Sequence, residues 1–323
     1  MKALVYEGIG KISYKDIEGP DNEVVLKVIS SGLCGTDLKT YLKGHPMFTP
    51  PTVLGHECIA EIVKIDEKNS KFKKGDKVVV APYIECGVCD KCLNGNPELC
   101  ERKSYLSTGC FCEFISMDNF HASRALIKID ELDDVYTLTE PLACVINGIE
   151  KLNGKYSKNL IVGGGPMGML FYLMFKILGK EALIVESTEW RREFLKEKDI
   201  KTISPDEKDT GEKYDNVILA VNKPELVNQY KENIKDGGIM LLFAGYPAGT
   251  LLEISAYDVH YREIIIKGSF GFAKKHFVSG LNFINKNKEC FRNTITDTYK
   301  IEEGKQAFDI FKSGKSMKVV IRI

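Results

Sequence analysis

A glycine-rich turn between an apolar strand and an apolar helix constrains the fold more than any other feature of the sequence. Gly163, Gly165 and Gly168 fit the pattern G-x-G-x-x-G, between the apolar run 159–162 and the apolar stretch 169–178. Further apolar runs alternate with helix-length segments, at 182–185, 216–220, 238–244 and 263–267. Alternating strands and helices predict a doubly wound parallel sheet. Runs without polar alternation suit strands that are buried on both faces.

The same turn predicts a dinucleotide-binding site. The first glycine of such a pattern allows the tight turn, the second allows a pyrophosphate to approach, and the third allows the helix to pack on the strand. The helix N terminus adds free N–H groups and a positive dipole end. Glu186 ends the next strand, where its carboxylate can accept from ribose hydroxyls and repel a 2′-phosphate. NAD is therefore predicted over NADP, although Arg191 and Arg192 lie close enough in sequence to support a phosphate.

The N-terminal part of the chain is β-rich and shows no such alternation with helices. Its β-branched runs are separated by glycine, proline and charged residues, and they lie at 1–6, 23–30, 58–65 and 77–81. This pattern indicates half-buried strands. The tail, 295–323, returns to short β segments around one helix near 301–313. Because the tail does not extend the strand–helix alternation, we expect it to fold back onto the N-terminal domain.

Four cysteines are bunched in one short loop: Cys86, Cys89, Cys92 and Cys100. Their spacing, C-x2-C-x2-C-x7-C, allows four thiolates to close a tetrahedral shell around one zinc ion. The fourth interval does not match the usual iron–sulfur runs. A closed shell leaves no position for a substrate, so we predict a structural zinc that staples the loop.

A second group of ligand types lies upstream, in the motifs Cys34-Gly35-Thr36-Asp37 and Gly55-His56-Glu57. Cys34 offers a thiolate, His56 an imidazole and Glu57 a carboxylate, which is too few for a closed site. A third protein ligand and an open position would make the site catalytic. Glu140, which is distant in the sequence, is the candidate for the third ligand, because the proline after it suggests a helix start. Cys144, one helical turn later, is the alternative candidate. Each residue alone could be an ordinary core residue, but the two motifs together favour a metal.

Composition excludes several classes of partner. The 323 residues carry 45 Lys+Arg and 45 Asp+Glu, so the net charge is zero and no basic stripe is visible. This argues against nucleic-acid and anionic-membrane binding. The apolar run 169–175 is broken by Lys176 and is too short to span a bilayer, and a charge interrupts the N terminus before a signal peptide could form. We therefore expect a cytoplasmic protein, in which ten cysteines favour metal binding over disulfides.

Taken together, these motifs resemble the zinc-containing, medium-chain alcohol dehydrogenase family, and most closely its sorbitol and threonine dehydrogenase branches. The matching segments are Cys34 to Asp37, Gly55 to Glu57, the cysteine quartet, Thr139-Glu140-Pro141-Leu142-Ala143, Gly163 to Gly168, Gly268-Ser269-Phe270, Phe311 to Lys315 and Lys318-Val319-Val320. The resemblance implies a fold of α/β plus β class. A GroES-like β-barrel catalytic domain would comprise 1–142 and 277–323, and a Rossmann NAD-binding domain, 143–276, would be inserted in it. It also implies an active site in the cleft between them and a homodimer or homotetramer.

The resemblance further implies a reaction and its site residues. The reaction is reversible oxidation of a secondary alcohol to a ketone, with two zinc ions per chain. Cys34 and His56 would bind the catalytic zinc with an acid, Glu140 or Glu57. Thr36 would take the alcohol proton, Asp37 would orient His56, and Lys39 stands where many members carry a proton-relaying histidine. The implied coenzyme-binding residues are Gly163, Gly165, Pro166, Met167, Gly168, Glu186, Arg191, Ala220, Phe243, Ser269 and Phe270.

The substrate is expected to be polar. The side chains that suggest a polar pocket are Thr36, Tyr41, His45, Glu57 and Glu140, which suits a polyol, sugar, cyclitol or amino alcohol; alternatively, Tyr41 and His45 belong to a surface loop. Three rival interpretations remain: an NADPH reductase without catalytic zinc, a zinc-loop module that binds nucleic acid or protein, and an NAD- and zinc-binding protein without catalysis. The interpretation without catalysis stays open because Lys39 stands where many members of the family carry the proton-relaying histidine.

Overall fold

A computed structural model of the protein describes residues 1–66, 71–154, 157–207 and 211–323. These residues divide into two compact units. The split unit comprises Met1–Ala143 and Ala273–Ile323, and the inserted unit comprises Cys144–Phe272. The second boundary lies before the helix Lys274–Lys286, whereas the sequence analysis placed it inside that helix. The Ala273 N–H donates to Nδ1 of His276 at 2.9 Å and ties the first turn of this helix to the residue before it.

The elements follow one another from the N-terminal segment through the inserted unit to the tail. The strands are β1 (Lys2–Gly8), β2 (Lys11–Asp16), β3 (Val24–Leu33), β4 (Thr52–Val53), β5 (Glu57–Lys64), β6 (Lys77–Val80), β7 (Tyr83–Ile84), β8 (Ser104–Tyr105), β9 (Phe114–Met117), β10 (Leu126–Lys128), β11 (Lys158–Val162), β12 (Glu181–Val185), β13 (Thr202–Ile203), β14 (Tyr214–Leu219), β15 (Ile234–Leu242), β16 (Ile265–Gly268), β17 (Ile295–Lys300) and β18 (Lys318–Arg322). The α-helices are α1 (Gly35–Lys43), α2 (Asp90–Leu93), α3 (Asn119–Ala125), α4 (Thr139–Glu150), α5 (Pro166–Ile177), α6 (Glu189–Glu197), α7 (Leu226–Tyr230), α8 (Ala256–His260), α9 (Lys274–Lys286), α10 (Lys288–Arg292) and α11 (Gly304–Ser313). Short 3₁₀ helices lie at Pro97–Leu99, Asp134–Leu138, Pro205–Glu207, Lys231–Asn233 and Ile301–Glu303.

The split unit is built on a sheet whose strands come from both ends of the chain. Its order is β10-β6-β5-β3-β18-β17, and β9 also pairs with β3. The C-terminal strand β18 is antiparallel to β3, with Val319 opposite Leu33. The tail therefore completes the sheet of the N-terminal segment. A smaller sheet, β2-β1-β4, contributes to the same apolar core, in which Phe111 and Phe308 are fully buried.

The inserted unit contains a single parallel sheet among its described residues, in the order β13-β12-β11-β14-β15-β16. Counted along the inserted unit, with β11 as its first strand, this is the order 3-2-1-4-5-6 of the Rossmann fold. The predicted doubly wound sheet is thus confirmed. Leu160, Val217 and Met240 are buried in its core, in keeping with strands that are covered on both faces.

The helices also bear on whether the chain could cross a membrane. No helix within the described ranges is both long enough and apolar enough to cross a bilayer.

Candidate functional site

The four clustered cysteines meet around one point in the split unit. Sγ of Cys89 lies 3.5 Å from that of Cys92 and 3.7 Å from that of Cys100, and the Sγ atoms of Cys86 and Cys92 are 4.0 Å apart. Zinc–sulfur bonds of about 2.3 Å in a tetrahedron place the sulfurs about 3.8 Å apart. None of the described cysteines is in a disulfide, and the four sulfurs lie within 4.8 Å of one another. The cluster thus has the dimensions of a closed zinc shell.

The charges around this cluster favour a cation at its centre. The N–H groups of Cys92 and Glu101 lower the pKa of the Cys89 thiol to about 6. Burial and the neighbouring thiol of Cys89 raise the pKa of Cys92 to about 12. These opposed shifts mean that the four thiols cannot all ionise near neutral pH by themselves. A divalent cation compensates the four thiolates, so the donor set fits structural zinc.

Cys34 begins the second candidate site, at the N terminus of α1. It is the N-cap of that helix, and its Sγ accepts from the Thr36 N–H at 3.5 Å. The buried Asp37 carboxylate accepts from the Cys34 N–H at 3.0 Å and from the Gly55 N–H at 3.1 Å. A helix N terminus favours negative charge, which suits a thiolate ligand. Asp37 connects the Cys34 turn to the loop that carries His56.

His56 lies beside this carboxylate. Its Nδ1 is 3.5 Å from Oδ1 of Asp37, which leaves Nε2 for another partner. Burial lowers the pKa of His56, but the charges of Asp37 and Cys34 raise it more, so that the pKa lies well above its ordinary value. Gly55 supports the position, because its φ is +94° and a Cβ there would lie 2.8 Å from the Phe111 ring.

Glu57 is buried in an ion pair that the sequence analysis missed. The Lys318 Nζ donates to both carboxylate oxygens at 2.7 Å. Burial lowers the pKa of Lys318, but the Glu57 and Cys34 charges raise it more, so the pKa is raised and the lysine stays charged. The sequence contains one signal for this ion pair. Lys318 directly precedes the apolar run Val319–Ile321, and a charge buried there needs a partner of opposite charge.

The structure brings Cys34, His56 and Glu57 together, with one ligand atom from each within 4.8 Å of the others. Neither Glu140 nor Cys144 belongs to that group. Glu140 is the second residue of α4 and is 9% exposed, and its charge is among those that raise the pKa of Lys318. Glu140 therefore lies near the group.

Among the other predicted active-site residues, Thr36 and Lys39 are exposed on α1. The prediction that Tyr41 lines a polar pocket is wrong, and so is its placement in a surface loop. Tyr41 is a buried residue of α1 whose ring lies 5.2 Å from that of Phe308, because it falls on the apolar face of the helix. His45 is partly exposed, and its Nδ1 accepts from the Met47 N–H at 3.2 Å.

The glycine-rich turn of the inserted unit lies between β11 and α5. Gly163 has φ +105°, a backbone conformation that residues with a side chain rarely adopt. A Cβ on Gly168 would lie 1.9 Å from the Gly163 carbonyl oxygen, whereas a Cβ on Gly165 would meet nothing within 4 Å. Pro166 and Met167 begin the helix. The three glycines thus differ in what they do: one turns the chain, one leaves open space and one permits close packing.

Replacing Gly168 with alanine is expected to lower both the thermal stability and the affinity for NAD. Overpacking of this kind costs about 1–3 kcal/mol, and the displaced helix carries the N–H groups of the turn. Gly165→Ala is the matched control, since open space surrounds that position and the melting temperature should not change. Differential scanning calorimetry and NAD titration measure the two effects. Equal melting temperatures for the two variants would contradict the packing role.

Glu186 follows β12 and is tied to the same turn. Its carboxylate accepts from the Gly164 and Thr188 N–H groups, each at 2.7 Å, and from Arg191 at 3.3 Å. Burial raises the pKa of Glu186, but the Thr188 N–H, Arg191 and the Gly164 N–H lower it more, so the group is charged at neutral pH. Arg192 donates to the Glu186 carbonyl oxygen at 2.9 Å. Both arginines therefore bind within the β12–α6 turn.

The remaining predicted coenzyme residues follow strands of the same sheet. Ala220 comes after β14, Phe243 after β15, and Ser269 and Phe270 after β16. Ligands of open parallel sheets bind at the carboxyl ends of the strands. The Ser269 Oγ is buried without a hydrogen-bond partner among the described residues, which fits a polar ligand at this edge.

Comparison with known proteins agrees with this architecture. The sequence model of the alcohol dehydrogenase GroES-like domain matches residues 20–130. D-arabinitol dehydrogenase 1 of Uromyces fabae is 27% identical, with 100% of this chain and 97% of that protein covered. Sorbitol dehydrogenase of Bacillus subtilis is also 27% identical, with 96% and 93% covered. The solved structure of 2R,3R-butanediol dehydrogenase from Bacillus subtilis has a TM-score of 0.87 at 25% identity, with 100% and 99% covered.

Similarity over the whole length, in sequence and in fold, places the protein among the nicotinamide-dependent dehydrogenases. The chain is thus similar to the zinc-containing, medium-chain alcohol dehydrogenase family, in agreement with its motifs. It is an oxidoreductase that interconverts alcohols and ketones.

Proposed function

We propose that the chain is a zinc-dependent, NAD-linked dehydrogenase that interconverts a secondary alcohol of the polyol, sugar, cyclitol or amino alcohol type and its ketone. The observation that carries the proposal is the meeting of Cys34, His56 and Glu57 within 4.8 Å. A thiolate, an imidazole and a carboxylate are ligands that zinc prefers, and three of them leave an open position. Zinc held there would act as a Lewis acid toward the alcohol oxygen and lower the pKa of the hydroxyl.

Two zinc ions per chain follow from the two clusters. The cysteine quartet would hold the structural ion, with no open position. Cys34 and His56 would hold the catalytic ion with an acid, for which Glu57 and Glu140 are both candidates and Cys144 is a rival. A metal count decides between this proposal and a reductase without catalytic zinc, which would hold one ion or none.

The residues of α1 would handle the proton. Thr36 is exposed in the first turn of the helix, where its hydroxyl would take the proton of the alcohol. Lys39 is exposed one turn later on the same face and would pass the proton to solvent. Asp37 would hold the His56 ring through Nδ1, as second partners of metal-binding histidines do. The nicotinamide, when bound, would accept the hydride.

The choice of NAD over NADP is supported by the charge at Glu186. The carboxylate is ionised at neutral pH and lies where the ribose of a dinucleotide binds in this fold. Arg191 and Arg192 donate to the side chain and to the carbonyl of Glu186, so that they reinforce the turn. The negative charge of Glu186 would repel the 2′-phosphate of NADP.

Replacing Glu186 with glutamine is expected to reduce the preference for NAD over NADP. The substitution removes the charge and keeps the shape, and a charge-assisted hydrogen bond is worth about 1.5–3 kcal/mol, which corresponds to a change of about tenfold or more. The ratio of kcat/KM for the two coenzymes measures the effect. Glu189→Gln, at the exposed start of α6, is the matched control and should leave the ratio unchanged. An unaltered ratio in the Glu186 variant would refute the assignment.

A polar substrate is supported by the polar groups near the metal ligands and by relatives that are named for arabinitol and sorbitol. The test is a screen that follows the absorbance of reduced coenzyme with polyols, amino alcohols, cyclitols and sugar phosphates. Simple secondary alkyl alcohols of matched carbon number serve as the comparison. We expect higher kcat/KM for the polyhydroxylated compounds. If no alcohol of either class is oxidised, the interpretation as an NAD- and zinc-binding protein without catalysis gains support.

We also propose that the protein is a homodimer or homotetramer in the cytoplasm. Tyr257 and Tyr261 are exposed on and just after α8, with rings 5.1 Å apart, and β16 is an edge strand of its sheet. Exposed aromatic groups beside a sheet edge are typical of surfaces that another chain covers. The described cysteines are thiols outside disulfides, which suits a reducing compartment. Light scattering coupled to size exclusion measures the oligomer mass.

A further inference from the structure

Asn147 and Gly148 are two weak helix formers that follow one another in α4. Asn147 is 1% exposed, and a buried amide is costly unless it is hydrogen-bonded. Neither residue has a role in the function proposed above. Their presence in this helix therefore calls for a reason at the place where the helix packs.

Asn147 binds the chain segment that follows β16. Its Nδ2 donates to the Phe270 carbonyl oxygen at 3.3 Å and to the Gly271 carbonyl oxygen at 3.0 Å. Because both partners are acceptors, only the amide nitrogen, which carries two hydrogens, can serve them. Gly271 has φ +57°, a conformation that favours glycine. Asn147 thus holds the segment 269–271 at two consecutive carbonyl groups.

Gly148 allows this end of α4 to approach the neighbouring strand. A Cβ on Gly148 would lie 2.8 Å from the Phe171 ring and 3.3 Å from the ring of Phe243, the residue after β15. Lys267 of β16 adds a further contact, because its Nζ donates to the Lys151 carbonyl oxygen at 2.8 Å. All of these residues belong to the inserted unit. The end of α4 is therefore fastened to the carboxyl ends of β15 and β16.

The place of the segment 269–271 in the sheet indicates which half of the coenzyme it meets. In a Rossmann fold each half of the sheet binds one mononucleotide, and the dinucleotide crosses the point where the strand order reverses. Here that point lies between β11 and β14. Glu186 follows β12 on the adenosine side, whereas the segment follows β16 on the other side. The segment therefore belongs to the half that would bind the nicotinamide mononucleotide.

We propose that Asn147 is a positioning residue for the nicotinamide half of the coenzyme. It acts through the segment 269–271, whose Ser269 Oγ is buried and has no hydrogen-bond partner in the part of the chain that the structure describes. Without the two hydrogen bonds of Asn147, the segment would populate other conformations, and the coenzyme would bind only the competent fraction. This inference rests on the proposed function, because it requires that the inserted unit binds NAD.

The first test compares NADH with ADP-ribose, which has the adenosine half and the pyrophosphate but no nicotinamide. Asn147→Leu nearly keeps the volume of the side chain and removes both donors. The loss of two ordinary hydrogen bonds is enough to reduce the competent fraction to about one tenth. The dissociation constant for NADH should then rise about tenfold, whereas that for ADP-ribose should not change. Titration of the full-length protein measures both constants without turnover.

Asn159→Leu is the matched control for damage to the fold. Asn159 is also a buried asparagine of the inserted unit, and its Nδ2 donates to the Glu181 carbonyl oxygen at 2.9 Å. It lies near the start of β11, at the end of the strand away from the glycine turn. Both variants should lower the melting temperature, but only Asn147→Leu should weaken NADH relative to ADP-ribose. Equal weakening of the two ligands in Asn147→Leu would show a merely structural role and overturn the proposal.

Hydrogen–deuterium exchange of the coenzyme-free protein tests the order of the segment itself. The Ser269 N–H donates to the Leu242 carbonyl oxygen at 3.2 Å, so its exchange reports local opening. Exchange in peptides that cover residues 265–272 should be about tenfold faster in Asn147→Leu and unchanged in Asn159→Leu. Wild-type exchange in Asn147→Leu would also overturn the proposal.

A second variant reaches the segment without altering α4. Gly271→Ala places a side chain at a positive φ, which disfavours the observed conformation. It should reproduce both the faster exchange and the selective loss of NADH affinity, even if Asn147→Leu folds poorly.

Failure of the proposed function gives a different result. If the wild-type protein does not bind NADH, the proposed function fails, and this inference with it. If the wild-type protein binds NADH and the variants at Asn147 and Gly271 leave its dissociation constant unchanged, only this inference fails.

Discussion

Cys34→Ser is expected to abolish turnover while NAD binding is retained. Cys34 offers the thiolate of the open cluster, and its Sγ accepts from the Thr36 N–H at the start of α1. A serine hydroxyl is a poor zinc ligand, because zinc prefers thiolate, imidazole and carboxylate donors. Loss of a Lewis acid worth several kcal/mol corresponds to a fall of roughly 10³-fold or more in kcat/KM. The zinc content should fall from two ions per chain to one.

The controls separate the loss of the metal from damage to the fold. Cys290 lies in α10 and outside both ligand clusters found among the described residues, so Cys290→Ser should keep full activity and both zinc ions. NAD titration should give the wild-type dissociation constant for Cys34→Ser, since the glycine turn belongs to the inserted unit. Turnover that survives in Cys34→Ser would contradict the assignment of the catalytic site.

Cys100→Ser is expected to cause the largest loss of stability. The sulfur of Cys100 lies 3.7 Å from that of Cys89 and accepts from the N–H groups of Cys86 and Arg102. Structural zinc contributes about 10–16 kcal/mol in small zinc-binding domains. A loss of even about 3 kcal/mol lowers the melting temperature of a unit of this size by roughly 6–12 °C. Calorimetry and zinc analysis measure the change.

The effect should be local at first. Proteolysis of Cys100→Ser at moderate temperature is expected to cut within residues 86–100, because the short helices there have little apolar core. Cys290→Ser is again the control. Wild-type stability and a full complement of zinc in Cys100→Ser would show that the quartet is not a metal site.

Local spacing was enough to predict some features. The cysteine quartet is confined to one short loop, so its intervals alone determine whether the four sulfurs can meet, and they lie 3.5–4.0 Å apart where measured. The close packing at Gly168 also depends on a nearby residue, since the Gly168 position is restricted by the Gly163 carbonyl. The doubly wound sheet of the inserted unit was predicted from its apolar runs, whereas the order of its six strands is a finding of the structure.

Other features depended on contacts that no local pattern reports. Tyr41 looked like a pocket residue, yet the return of the tail places Phe308 against its ring. The second unit boundary lies before the helix Lys274–Lys286, because the whole of that helix belongs to the split unit. Gly164 lies between the first two glycines of the G-x-G-x-x-G pattern. The hydrogen bond from its N–H group to Glu186 depends on the neighbouring strand β12, which Glu186 follows.

By itself, the sequence determined which chemical groups the protein carries and in what order: four clustered thiols, a Cys34–His56–Glu57 donor set and a glycine turn between strand and helix. Only the tertiary structure decided how Glu57 is used, because its partner Lys318 lies 261 residues away. Ligand types and turn residues are properties of short segments. The burial and pairing of a charge depend on which distant strands become neighbours in the sheet, and the path of the chain alone establishes that.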